Sequence, residues 1–139
     1  MSDAIHGHGT TFSIGATAVG NIITIGGPDI TRDPLDVSTM DSTSKFREFI
    51  PGMLDSGEIT LELNYDGTAA GTGNFLSQQM TATAQTMTIV LPAQGAGGTS
   101  SWAIAGFMTG LGQAIPFDDK VTQTVTIKLT GGYTYTDSV

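Results

Sequence analysis

The sequence predicts a mainly β fold: a small β-sandwich or barrel of about seven strands carrying one short flanking α-helix. Three observations predict it. Ile59, Leu61, Leu63 and Tyr65 alternate with Glu58, Thr60, Glu62 and Asn64, a period of two that gives a strand one apolar and one polar face. Val121, Val125, Ile127 and Leu129 alternate with Thr122, Thr124, Thr126 and Lys128 in the same way. The composition also favours sheet: only 13% of residues are charged, and 19 glycines punctuate short runs of Thr, Val, Ile and aromatics.

Residues 1–9 bear Gly and His and lack periodicity, which predicts a flexible N-terminal arm. A short strand is expected over 10–14 and a stronger one over 19–25, ended by the turn residues Gly26, Gly27, Pro28 and Asp29. Asp33-Pro34 opens the next segment, a strand over 35–40 with Leu35 and Val37 on one face. The alternating strand at 58–65 is followed by a loop over 66–73.

A helix is expected over 74–82, capped by Thr72 or Asn74, with Phe75, Leu76 and Met80 as its apolar stripe. So short a helix is not stable alone, so it must lie on a sheet or across a barrel mouth. A strand over 85–91 is closed by Pro92, and a Gly- and Ser-rich loop covers 94–101. Residues 101–116 read as one bent strand or two, because the apolar phase switches near Gly106: Trp102 and Ile104 point one way, Phe107 and Leu111 the other. After a turn at 116–119, the last strand spans 121–129 and Gly131-Gly132 ends it. Residues 133–139 then form a polar C-terminal tail with two tyrosines.

Residues 41–57 stand apart. They gather Phe46, Phe49, Ile50, Met53 and Leu54 between charged and turn-forming residues, and two of the five basic residues, Lys45 and Arg47, lie here. Pro51 disfavours helix at Ile50, and Gly52 is free to take a positive φ. The stretch reads as a long apolar loop rather than a strand. Apolar side chains in such number need a surface to pack on, within the chain or on a neighbour.

At 139 residues the chain is expected to be a single domain with a core of its own. It has no Cys, hence no disulfide, thiol nucleophile or thiolate metal site. No apolar run is long enough to span a membrane, and residues 1–11 lack the charged-then-apolar pattern of a secretory signal. The net charge of −8 opposes binding to a phosphate backbone.

Nothing points to catalysis. There is no phosphate loop and no nucleophile elbow, and both histidines, His6 and His8, lie in the terminal arm, out of reach of a Ser-His triad. Two histidines without a third ligand make a poor metal site, and Asp118-Asp119 reads as a solvated turn. Glu58 and Glu62 share a strand face about 13 Å apart, too far for a catalytic pair. No cofactor is expected. Alternating strands, hydroxyl-rich outer faces and an apolar loop instead suggest contact with copies of the same chain.

The run Arg47-Glu48-Phe49-Ile50-Pro51-Gly52, then Asp55, Gly57, Glu58 and the alternating strand, resembles the tail tube (major tail) proteins of long, non-contractile-tailed bacteriophages. So do residues 33–42 before it and 115–131 near the end, in the same order and at sensible spacing. The resemblance implies a structural virion protein whose hexameric rings stack into a hollow tail, the conduit for DNA ejection, assembled in the host cytoplasm. Its partners would be itself, the tape measure, tail tip and terminator proteins, and genomic DNA passing through the lumen without specific binding. The long loop would be 41–57, with Phe46, Arg47, Phe49, Ile50 and Met53 contacting a neighbouring subunit. The terminal arms, 1–9 and 133–139, would bridge rings.

Six copies at −8 each would give a ring of roughly −48 that repels a duplex from the wall, with Glu58 and Glu62 as the lumen-facing acids. A ring-forming terminator or adaptor, or a tube protein of a secretion or contractile injection system, is the alternative. A carbohydrate-binding sandwich would need clustered exposed aromatics, and the one Trp and three Tyr are scattered in sequence.

Overall fold

The computed structural model describes residues 6–68, 71–93 and 97–137. In chain order the elements are β1 (Thr11–Ile14), β2 (Thr17–Val19), β3 (Ile22–Gly26), β4 (Thr31–Asp36), β5 (Phe49–Asp55), β6 (Glu58–Asn64), α1 (Thr72–Gln79), β7 (Gln85–Val90), β8 (Ser101–Ala114) and β9 (Thr122–Thr136). Seven strands form one antiparallel sheet in the order β2-β1-β7-β8-β9-β6-β3, and β4 pairs only with β5.

The sheet doubles back on itself. Its two outermost strands, β2 and β3, are joined by Gly20 and Asn21 alone, which brings opposite ends of the strand order together. Asn21 makes the corner with φ of 61°. The fold-over is carried by the two long strands. β7 pairs with residues 101–106 of β8, and β6 pairs with residues 122–128 of β9. A front layer thus runs β3, β6, first half of β9, second half of β8; a back layer runs β2, β1, β7, first half of β8, second half of β9. Register shifts at Ile104/Gly106 and Met108/Gly110 mark the bends between them.

The core lies between these layers. Phe12, Ile14, Met87 and Ile89 from the back meet Ile59, Leu61, Leu63, Val125 and Ile127 from the front in one buried cluster. Leu76 of α1 is fully buried in the same cluster, with Phe75 packed against it. The mainly β architecture with one short helix is as the sequence predicts.

Several boundaries differ, each for a physical reason. The expected strand over 19–25 is broken at Gly20-Asn21 into β2 and β3. The helix starts and ends earlier than expected: Gly71, with extended backbone, is its N-cap, not Thr72 or Asn74, and Met80 at its end is exposed. The phase switch of β8 falls after Met108, which is buried, while Phe107 faces out; the bulge before Gly110 then turns Leu111 back toward the core.

The strand expected over 35–40 is β4, over 31–36, and it runs through Pro34. The supposed loop contains a strand too. β5 runs through Pro51, directly opposite Pro34. Each of these strands has a free edge, so neither proline costs a ladder bond there. The C-terminal tail is also strand as far as Thr136, paired with Ser101–Ile104. Residues 1–5 of the N-terminal arm and residues 138–139 lie outside the described residues.

Candidate self-assembly surfaces

β3 to β6 form one long ribbon in two parts. Its lower part is the pair β3 and β6 within the front layer; its upper part is the pair β4 and β5, an arm joined to no other strand. Two glycines set the junction between them. Gly57 has φ of 75°, and a Cβ there would stand 2.4 Å from the Asp29 carbonyl oxygen. Gly27 has φ of 99°, and its Cβ would meet the Glu58 carbonyl oxygen at the same distance. Only glycine lets the two chains cross this closely.

The junction is tied to β9. Ser56 Oγ, buried, donates to the Gly131 carbonyl at 2.8 Å, and the Leu129 N–H donates to the Gly57 carbonyl at 3.1 Å. Lys128 Nζ lies 3.0 Å from Asp55 Oδ1, the one ion pair among the described residues. Asp55 also accepts the Gly57 N–H at 2.9 Å. That hydrogen bond first, and Lys128 second, hold the Asp55 carboxyl below the usual aspartate range.

At the far end of the arm the backbone is knotted by short polar side chains. Ser38 Oγ accepts the Glu48 N–H at 2.7 Å, Val37 N–H donates to the Glu48 carbonyl at 2.9 Å, and Ser42 Oγ accepts the Thr39 N–H at 2.9 Å. Hydrogen bonds from Ser38 lower the Asp36 carboxyl. A 3-10 turn at Thr43–Lys45 leads to Phe46 and Arg47 at the tip.

Every predicted contact residue is on this arm and exposed. Phe46 and Met53 are 74% and 91% accessible; Phe49 and Ile50 are about half exposed. Arg47 makes no ion pair within the described residues. The ribbon adds two residues from β4 and just beyond it, Leu35 opposite Ile50 and Val37, and it pairs Leu54 with Arg32. The two X-Pro steps hid the pairing, since proline argues against strand. An isolated two-stranded hairpin is marginal in water, and this one has apolar side chains on both faces.

Glu58 and Glu62 are not near the tip. Both are exposed on the outer face of β6, opposite the buried Ile59, Leu61 and Leu63. Their cross-strand neighbours are Lys128 and Thr124 on β9, with Thr24 beside Glu62 on β3. Thr60 and Thr126 pair between them. The outer face of β6 and its β9 partner is therefore mainly threonine and glutamate, with Lys128 opposite Glu58 and Phe107 of β8 beside Lys128. Its two boundary strands are open: β3 has a partner on one side only, and residues 107–114 of β8 pair only with β9.

Trp102 and two of the three tyrosines, scattered in sequence, do meet. Trp102 lies 5.3 Å from the Tyr133 ring and 4.8 Å from the Tyr135 ring, at the far end of β8 and β9. The two tyrosines are half exposed.

A family model for the lambda phage tail tube protein matches residues 9–136. The chain belongs to the lambda phage tail tube protein family. It is a family of structural proteins of the phage tail, not of enzymes. Among curated proteins no sequence relative matches. Solved structures share the fold. The sheath/tube terminator of the PVC extracellular contractile injection system has a TM-score of 0.76 at 16% identity, over 96% of this chain and 97% of that one. The tube-terminating cap of the anti-feeding prophage gives 0.75 at 17%, over 98% and 93%. A chain of the native gene transfer agent virion gives 0.71 at 12%, over 96% and 100%. Tail tube proteins and terminators of tail-like particles thus share this architecture.

Proposed function

We propose that this tail tube protein closes into hexameric rings that stack as the hollow tail of a long, non-contractile-tailed phage, the channel through which DNA is ejected. The observation that carries this reading is the front layer. It has an outer face of mainly Thr and Glu and a free edge on each side, β3 and the second half of β8. Exposed strand edges are liabilities unless paired, and closing a ring edge to edge removes them. The outer face then becomes the lumen wall, and Glu58 and Glu62 become bands of negative charge that keep a duplex sliding. The β4–β5 arm packs Phe46, Phe49, Ile50 and Met53 on a neighbouring subunit, where Arg47 meets a carboxylate. Tape measure, tail tip and terminator proteins are the further partners, in the virion tail after assembly in the host cytoplasm.

A second reading is a terminator that forms one ring and stops. It is favoured by the likeness in fold to the two terminating proteins. Negative-stain electron microscopy across a concentration series separates the two. Long hollow tubes are the expected result; isolated rings would replace the tube reading with the terminator. A monomer at every concentration, with no growth on an added tail-tip complex, would sink both.

A further inference from the structure

Five basic residues leave few places where this chain can hold on to DNA, and their distribution is uneven. Arg32, Lys45 and Arg47 are on the arm, and Lys120 is in the link before β9. Lys128 alone belongs to the main sheet, on the same outer face as Glu58 and Glu62, directly opposite Glu58. On the lumen reading above, it is the one cation in the wall.

Its ammonium group is not free. Lys128 Nζ lies 3.0 Å from Asp55 Oδ1 and 3.4 Å from the Gly57 carbonyl oxygen. Gly57 completes the triangle by donating its N–H to the same Asp55 oxygen at 2.9 Å. The three groups are held at the crossing that only glycine permits, where Gly57 passes the Asp29 carbonyl. The pair is solvent-exposed, with the two side chains 36% and 63% accessible. Pairs exposed to this degree add little to stability. Their consequence is instead in the charge that the face presents.

We propose that Asp55 masks Lys128, so that the threonine and glutamate wall offers passing phosphates no unpaired cation. This rests on the lumen reading. Lys–phosphate contacts are what give non-specific DNA binding its affinity and its salt dependence. A lysine repeated around each ring, ring after ring, would act as a ladder of weak holds. The carboxylate at the base of the arm removes it.

The test uses assembled tubes of wild type, Asp55→Asn, Asp55→Glu and the double variant Asp55→Asn/Lys128→Gln. The probe is a short fluorescent DNA duplex, and its retention is measured at low and at physiological salt. Masking predicts that Asp55→Asn retains at least about tenfold more duplex than wild type at low salt, with a log–log salt slope of up to about −0.9 per lysine engaged. It also predicts that Asp55→Glu and the double variant behave as wild type. Equal retention by Asp55→Asn and wild type overturns the proposal. So does retention by the double variant, since no freed lysine remains.

If Asp55→Asn alone does not assemble, tubes doped with wild-type subunits allow the same comparison. Loss of assembly in the single and double variants alike would make the pair a strut and overturn the masking role. The lumen reading is checked separately. The chain has no Cys, so Glu62→Cys places a unique thiol on the wall. A bulky maleimide that labels it rapidly along intact tubes would refute the lumen assignment without reference to Asp55.

Discussion

The indole of Trp102 and the phenol ring of Tyr135 lie 4.8 Å apart, tilted by 52°, across the paired ends of β8 and β9. This contact ties the end of β9 into the fold. The Tyr133 ring also meets the indole, at 5.3 Å. Aromatic pairs contribute about 0.5–1.5 kcal/mol beyond the area they bury. Tyr135→Ala should lower unfolding free energy by about 1–2 kcal/mol. Denaturant melts followed by the fluorescence of the single Trp would check this, and the native emission should shift to the red in the variant.

Leu76 is the helix's anchor. It is fully buried, and the flanking residue Met80 is exposed. Leu76→Ala should cost about 2–5 kcal/mol, as for other fully buried leucines, whereas Met80→Ala should cost under about 0.5 kcal/mol. Thermal melts of the two variants side by side would decide it; equal losses would mean that α1 is not held by Leu76.

What was legible in the sequence follows the period-two signal. β6 and the first half of β9 could be read almost to the residue, because one face of each is core and the other is water. The arm was legible as an apolar surface but not as a ribbon. Its strands have no buried face, so no alternation marks them, and each carries a proline that normally argues against sheet. In the sequence, Gly131 and Gly132 look like the end of β9. They are instead the extra residues by which the strand bends from one layer to the other, with Gly131 at φ of 77°. The Trp102 cluster was invisible for the same reason: it depends on the strand continuing. Asp55 and Lys128, 73 positions apart, carried no local signal.

Gly57, like Gly27, has no room for a side chain. Its φ is positive, and a Cβ would sit 2.4 Å from backbone oxygen, which cannot rotate away. Gly57→Ala should destabilise the fold by more than about 1 kcal/mol and loosen the arm from β9. Hydrogen exchange would show it as faster exchange of the Leu129 N–H, whose acceptor is the Gly57 carbonyl. Gly112, which has open space around it, is the control and should tolerate alanine.

The lowered carboxyl of Asp55 has a defined pH consequence. Because its folded-state value lies below the ordinary one, its contribution to stability is fully present above the range where an unfolded aspartate titrates. It is lost as pH falls through the lowered folded value. The Gly57 N–H is the largest single cause, followed by the hydrogen bond and then the charge of Lys128. In Lys128→Gln the carboxyl should therefore rise only part of the way to the ordinary range. A carbon-detected NMR titration of the Asp55 carboxyl would check this; a full return would assign the whole effect to Lys128.

Arg47 and the apolar arm residues carry the strongest prediction about assembly. Arg47 is exposed, forms no ion pair within the described residues, and sits beside Phe46, which is 74% accessible. Replacing an exposed group that forms no ion pair among the described residues should leave the subunit's stability within about 0.5 kcal/mol of wild type. If the arm seats on a neighbour, Arg47→Glu reverses the charge presented to a partner carboxylate and should abolish polymerisation. Phe49→Ser should weaken it through lost burial. Light scattering reads polymerisation, and a denaturant melt of the subunit reads folding. Normal tubes from Arg47→Glu would place the arm away from the subunit interface, and a destabilised subunit would mean that the arm packs on its own barrel.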